Sequence, residues 1–169
     1  KHLYEDLCIH AERAGMRACL EYMAITEVKT LDDAFDVVDA VDHPAGGILV
    51  DLFHHERVGH EPEKIREIPK RWLSYAQLCD MPERGVITDA DEYFVDAIDG
   101  RLAPGEGSIP VAAMTRALPA DLPISLEIRS LDYRERYPDP VERARVILER
   151  TQAFFADMYA DTDTTKWRR

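Results

Sequence analysis

Four short apolar runs, each carrying a metal-competent side chain toward its C-terminal end, constrain this chain most. They are Ala18-Cys19-Leu20-Glu21-Tyr22-Met23, Ile48-Leu49-Val50-Asp51-Leu52-Phe53, Trp72 to Asp80, and Pro123-Ile124-Ser125-Leu126-Glu127-Ile128. Between them lie stretches with apolar residues at three- to four-residue intervals, the period of an amphipathic helix. Leu3, Leu7, Ala11 and Ala14 predict a first helix that stops at Gly15. Thr30 with Asp33 predicts a capped helix whose face is Leu31, Ala34, Phe35, Val38 and Val41, broken by Pro44 to Gly47. Shorter helices are expected around Pro62–Ile68, Asp89–Ile98 and Val111–Leu118. The last helix has Asp139 as N-cap, Pro140 at N1 and Glu142 at N3. Its stripe is Val141, Ala144, Ile147, Leu148, Thr151, Phe154, Phe155 and Met158.

Strands alternating with helices imply a parallel sheet with crossovers, either an open doubly wound sheet or a (β/α) barrel. No Gly-x-Gly-x-x-Gly or Gly-x-x-x-x-Gly-Lys turn follows a strand, which weighs against nucleotide binding. A length of 169 residues is expected for one unit, residues 1–160, with a polar tail at 161–169.

Side chains alternate across a strand, so Cys19 shares a face with Glu21, Leu49 with Asp51, Tyr75 with Gln77, and Ser125 with Glu127. If those faces point into a barrel, Glu21, Asp51, Gln77 and Glu127 meet at its C-terminal mouth, where such folds keep their active sites. Three converging carboxylates repel one another unless a cation joins them. Three carboxylates and an amide form an all-oxygen set that suits Mg²⁺, Mn²⁺ or Ca²⁺ better than Zn²⁺. The alternative is that these are ordinary strand-end residues, capping helices or pairing with Arg. A zinc site from His54, His55, His60 and Cys79 lacks any standard spacing.

Charge narrows the partners. Thirty-three acidic against 21 basic residues leave −12, which disfavours nucleic acid and anionic membranes as partners. No apolar run is long enough to span a bilayer, and three unpaired-looking cysteines (Cys8, Cys19, Cys79) fit a cytoplasmic setting.

The segments Leu20-Glu21-Tyr22-Met23, Val50-Asp51-Leu52-Phe53-His54, Tyr75 to Asp80, Pro104-Gly105-Glu106-Gly107 and Ser125-Leu126-Glu127 resemble the sugar phosphate isomerase/epimerase superfamily, the xylose-isomerase-like barrels. The resemblance implies that the chain is the C-terminal half, strands five to eight, of a (β/α)₈ barrel whose N-terminal half is missing. It implies one divalent metal ion, Mn²⁺ or Mg²⁺, on Glu21, Asp51, Gln77 and Glu127, with Gln77 in place of the commoner His. Glu21, Glu127 and His54 would be catalytic. His54, Arg57 and Arg129 would contact substrate. Glu106 is expected to stabilise its turn.

The implied reaction is proton transfer next to a carbonyl through a metal-stabilised enediolate, in an isomerase or epimerase acting on a sugar or hydroxy-ketone. Gln77 leans toward the alternative, a dehydratase of the inosose or 3-dehydroshikimate type, although Met23 stands where some dehydratases carry His. A further alternative is a non-catalytic binding half-barrel. Homo-oligomerisation is left open.

Overall fold

The computed structural model describes residues 1–82, 85–87 and 89–160; the expected polar tail lies outside the described residues. Four parallel strands run in the order β1 (Ala18–Glu21), β2 (Gly46–Asp51), β3 (Leu73–Leu78), β4 (Ile124–Leu126). Each consecutive pair is joined through helical crossovers, as the alternating pattern requires. Helix α1 (His2–Arg13) precedes β1, and α2 (Leu31–Val41) links β1 to β2. Helix α3 (Leu52–Arg57) and two short 3₁₀ turns lead to β3. Helices α4 (Ala90–Asp99) and α5 (Val111–Ala117) lie between β3 and β4, and α6 (Leu131–Arg136) and α7 (Pro140–Ala160) follow.

The core lies between one sheet face and the helices. Ile48, Val50, Ala76 and Leu78 are fully buried there, with Ala34 and Val38 of α2 and Cys8 of α1 above them. Tyr4 of α1 locks that helix to the sheet: its hydroxyl donates to the Ala18 carbonyl at 2.9 Å and accepts from the Gly47 amide at 2.9 Å. Gly47 is demanded by packing, because a Cβ there would sit 2.5 Å from the Trp72 carbonyl oxygen of the neighbouring chain segment. The opposite face is less covered: Cys19, Glu21, Tyr75, Gln77 and Glu127 are half-buried and Ser125 is exposed.

The caps explain the helix starts. Thr30 accepts from the Asp33 amide while Asp33 accepts from the Thr30 amide at 2.8 Å, a reciprocal box. Asp139 accepts from the amide of Val141 at 2.8 Å.

Several boundaries differ from the sequence reading. The run Ile48–Phe53 is strand only to Asp51, because the Asp51 carboxylate accepts from the Phe53 amide at 2.8 Å and starts α3 at once. Trp72 closes a 3₁₀ turn instead of opening β3. The stripe of α7 is only partly covered: Thr151 and Met158 are buried, but Val141 and Leu148 are exposed. Helices α3 and α6, one turn and a half each, are too short to leave a periodic signature.

Candidate active site

Strand register sets the site. Glu21 pairs with Leu49, Asp51 with Gln77, and Gln77 with Ser125. Residues two apart on a strand share a face, so Glu21, Asp51, Gln77 and Glu127 belong to one face at the C-terminal ends of the strands. Glu127 lies one residue past β4, held by its amide on the Leu78 carbonyl at 3.0 Å.

A donor atom each of Glu21, Asp51 and His54 lies within 4.8 Å of the others. His54 comes from α3, not from a strand end. Its Nε2 is 3.6 Å from Glu21 Oε1 and 3.6 Å from Asp51 Oδ2. Glu21 Oε1 and Gln77 Oε1 are buried without a hydrogen-bond partner among the described residues. Buried acceptors of this kind are rare in the absence of a ligand or ion. Glu21, Asp51 and His54 are the donor group, among the described residues, that could hold a divalent cation, and Gln77 pairs with Asp51 across the neighbouring strands.

Burial, reinforced by the charges of Asp51 and Glu127, pushes the Glu21 carboxyl up to about 7. Burial also raises Glu127, against the pull of Arg101. His54 is pushed down to about 3 by burial and by the Arg101 charge, so its ring is neutral at physiological pH.

Arg101 stands in this cluster and was missed by the sequence reading. Its Nη1 donates to Asp51 Oδ2 at 2.7 Å and to Glu127 Oε2 at 3.3 Å. Burial works against its charge, but Asp51, Cys79 and Glu127 outweigh that and hold it protonated. A signal existed: Arg101 stands three residues before Pro104-Gly105-Glu106-Gly107, and converging carboxylates call for a cation. Asp51 therefore does two things at once, capping α3 with one oxygen and meeting Arg101 with the other.

The turn that delivers Arg101 is built on Asp80. Its Oδ2 accepts from the amides of Gly105 at 3.0 Å and Gly107 at 2.9 Å. A Cβ on Gly107 would lie 2.3 Å from Asp80 Oδ1 and 2.4 Å from the Met81 carbonyl oxygen, so only glycine fits. Glu106 accepts from the Tyr133 hydroxyl at 2.7 Å and pairs with Arg150, which ties the turn to α6 and α7.

A cavity of about 200 Å³ opens over this cluster, walled by Glu21, His54, Tyr93, Phe94, Arg101 and Arg129 among others. Arg129 lines this cavity. Arg57 does not, which corrects the sequence reading. It is fully buried, and its Nη2 donates to Asp96 Oδ2 of α4 at 3.0 Å and to the Pro82 carbonyl at 3.3 Å. The reason is the helical start at Leu52: His54 and Arg57 fall three apart on one helix face, and both turn to α4. His55 and His60 pack on each other, with His55 bonded to Tyr22 at 2.7 Å and the Glu61 carbonyl at 3.0 Å. The cysteines are unpaired. Among the described residues no helix is long and apolar enough to cross a membrane.

The chain is 29% identical over 140 residues to a 3-dehydroshikimate dehydratase of Pseudomonas putida, covering 78% of this chain and 21% of the relative. It is 28% identical over 112 residues to an inosose isomerase of Bacillus velezensis, covering 64% of this chain and 37% of that one. The chain therefore spans only about a fifth to about a third of these relatives. A crystal structure of IolI protein with a bound zinc atom superposes with a TM-score of 0.69 at 20% identity, over 92% of this chain and 53% of that one, which shows a shared fold. The model of the family described as xylose isomerase-like TIM barrel matches residues 3–152, and the chain belongs to that family.

Proposed function

We propose that this chain carries the metal-binding side of a divalent-metal-dependent enzyme that moves a proton next to the carbonyl of a sugar-like hydroxy-ketone, as an isomerase or epimerase does. The observation that carries the reading is the pair of buried, unpartnered oxygens of Glu21 and Gln77 beside Asp51 and Glu127. Glu21, Asp51, Gln77 and Glu127 would hold one Mn²⁺ or Mg²⁺. That ion would draw electron density from the substrate carbonyl and make the adjacent C–H more acidic.

The residues supply the rest. Glu21 lies at the cavity and is placed to accept the proton from the carbon that the ion would acidify. Glu127 faces the same cavity and is the second acid or base. Return of the proton to the neighbouring carbon gives isomerisation, and return to the opposite face gives epimerisation. His54 contributes a neutral imidazole aimed between the two carboxylates, placed to donate to a substrate oxygen. Phe94, Ala97 and Ile98 offer an apolar wall.

A second reading is favoured by Arg101 and Arg129. Two guanidinium groups on one small cavity suit a substrate carboxylate, and proton removal with loss of a β-hydroxyl would then be a dehydration. The dehydratase relative of Pseudomonas putida supports that reading, and the inosose isomerase of Bacillus velezensis supports the first.

The experiment is metal analysis of the purified protein followed by incubation in D₂O with ketoses, inososes and 3-dehydroshikimate. Stoichiometric metal with deuterium incorporation and no water loss supports the isomerase. Loss of water from the acid supports the dehydratase. Absence of both exchange and bound metal would remove the proposal.

A further inference from the structure

We propose that Arg57 is a positioning residue: its buried pair with Asp96 fixes how α4 lies against α3, and with it the apolar wall of the cavity and the seat of Arg101. Helix α4 supplies Tyr93, Phe94, Ala97 and Ile98 to the cavity. Its buried residues are Tyr93 and Asp96, and both meet α3. The Tyr93 hydroxyl is hydrogen-bonded to His54, and Asp96 accepts from Arg57 at 3.0 Å. Phe94 and Val95 are exposed. The helix is thus seated by one aromatic ring and one ion pair rather than by an aliphatic stripe, and its place follows the direction of those contacts.

As a source of stability the pair is poor. Arg57 is fully buried, and its Nε and Nη1 have no hydrogen-bond partner among the described residues. Desolvating a guanidinium is costly and unsatisfied donors add to the cost, so an apolar pair of similar volume would hold the two helices about as firmly. What an apolar pair lacks is direction. The Arg57 Nη2 donates to Asp96 Oδ2 at 3.0 Å and to the Pro82 carbonyl at 3.3 Å, so it grips α4 and the chain that leads to it. His54 and Arg57, three residues apart, meet Tyr93 and Asp96, also three apart. Two contacts one turn apart keep α4 from rolling.

The Phe53 ring joins this anchor to the site. The Arg57 guanidinium sits over it at 5.3 Å from the centroid and the Arg101 guanidinium at 4.7 Å, while Tyr93 meets it edge-on at 5.3 Å. Arg101 follows the end of α4 by two residues, and its Nε donates to the Ala97 carbonyl of that helix at 3.0 Å. A turned α4 would carry that carbonyl away and loosen the head of Arg101 from Asp51 and Glu127. The same movement would shift Phe94, Ala97 and Ile98 at the cavity.

The effect on turnover rests on the metal-dependent proton-transfer reading; the seat of Arg101 is measured apart from it. The probe is the Arg101 Hε–Nε signal in ¹H–¹⁵N spectra of the ¹⁵N-labelled 169-residue chain in EDTA, identified by its loss in Arg101→Lys. In the wild type it should exchange slowly with water, because it is bonded to the Ala97 carbonyl. Arg57→Met removes the cation beside Asp96 and should lower Tm by roughly 10 °C. Adding Asp96→Leu removes both charges and should return Tm to within about 3 °C of wild type. Direction does not return with it. In the double variant the Arg101 signal should still exchange about tenfold faster than in the wild type. With Mn²⁺ and a hydroxy-ketone that the wild type turns over, kcat/KM should stay about tenfold to a hundredfold low.

A wild-type Arg101 signal in fast exchange overturns the proposal, and this result needs no variant to fold. So does a double variant that regains both its Tm and slow exchange, since the pair would then only fill space. A double variant that does not regain its Tm overturns it too, because the pair would then hold the fold instead of aiming the helix. If the signals behave as stated and no hydroxy-ketone reacts even with the wild type, the reaction reading fails while the positioning role stands.

Discussion

Replacing Glu21 by Gln should stabilise the metal-free protein at pH 8 and leave it nearly unchanged at pH 4. The folded carboxyl titrates near about 7 and the unfolded one near its ordinary 4.5, so between those values the folded state keeps a proton that the unfolded state has released. Stability from this group is therefore full below the unfolded value and is lost as pH rises through about 7. At about 1.36 kcal/mol per pH unit the interval corresponds to roughly 3 kcal/mol, or about 2–3 kcal/mol once the part of the side chain that water reaches is discounted. Gln has the same shape without the charge, so it should recover that amount at pH 8. Urea unfolding in EDTA at pH 4, 6 and 8, followed by circular dichroism, measures it. Parallel pH profiles for wild type and variant would refute the reasoning. The same ionisation governs the metal: a cation takes the charged carboxylate, so Mn²⁺ affinity should rise about tenfold per pH unit up to about 7 and then level off.

Other outcomes follow from the same geometry. Arg101→Met removes the cation beside Asp51 and Glu127 and should cost about 3–5 kcal/mol in EDTA. Saturating Mn²⁺ should then raise the variant's Tm more than the wild type's, because Arg101 no longer competes for Asp51 Oδ2; equal rises would contradict this. Gly107→Ala places a methyl against Asp80 and Met81 and should lower stability by about 1–3 kcal/mol, seen as a lower Tm. Glu127→Gln should abolish turnover and weaken Mn²⁺ binding in calorimetry; unimpaired activity would dismiss Glu127 from the mechanism.

Side-chain parity was the most informative feature of the sequence. Glu21, Asp51 and Gln77 follow buried alternating residues at βα spacing, and the register places them on one face with Ser125 and, two residues on, Glu127. Such periodicities are local, a consequence of how consecutive peptide units turn, and they survive without any tertiary information. Caps are local as well, which is why Thr30 and Asp139 mark their helices correctly. Asp51 shows the limit of local reading: the same carboxylate fits a strand end and a helix cap, and it serves as both.

The α/β class, the parallel pairing of the strands and the shared face of the strand-end residues were thus determined by the sequence itself. What only the tertiary structure decided is which distant groups complete them. Arg101 reaches back 50 residues to Asp51, while Tyr93 and Asp96 each reach back 39 residues, to His54 and Arg57. Arg57 and Arg101 differ in no local property that would send one under α4 and the other into the carboxylate cluster. Their roles are set by how the segment after β3 closes over the sheet. Long-range pairing of this kind depends on loop closure and packing, and neither has a period that a chain can display.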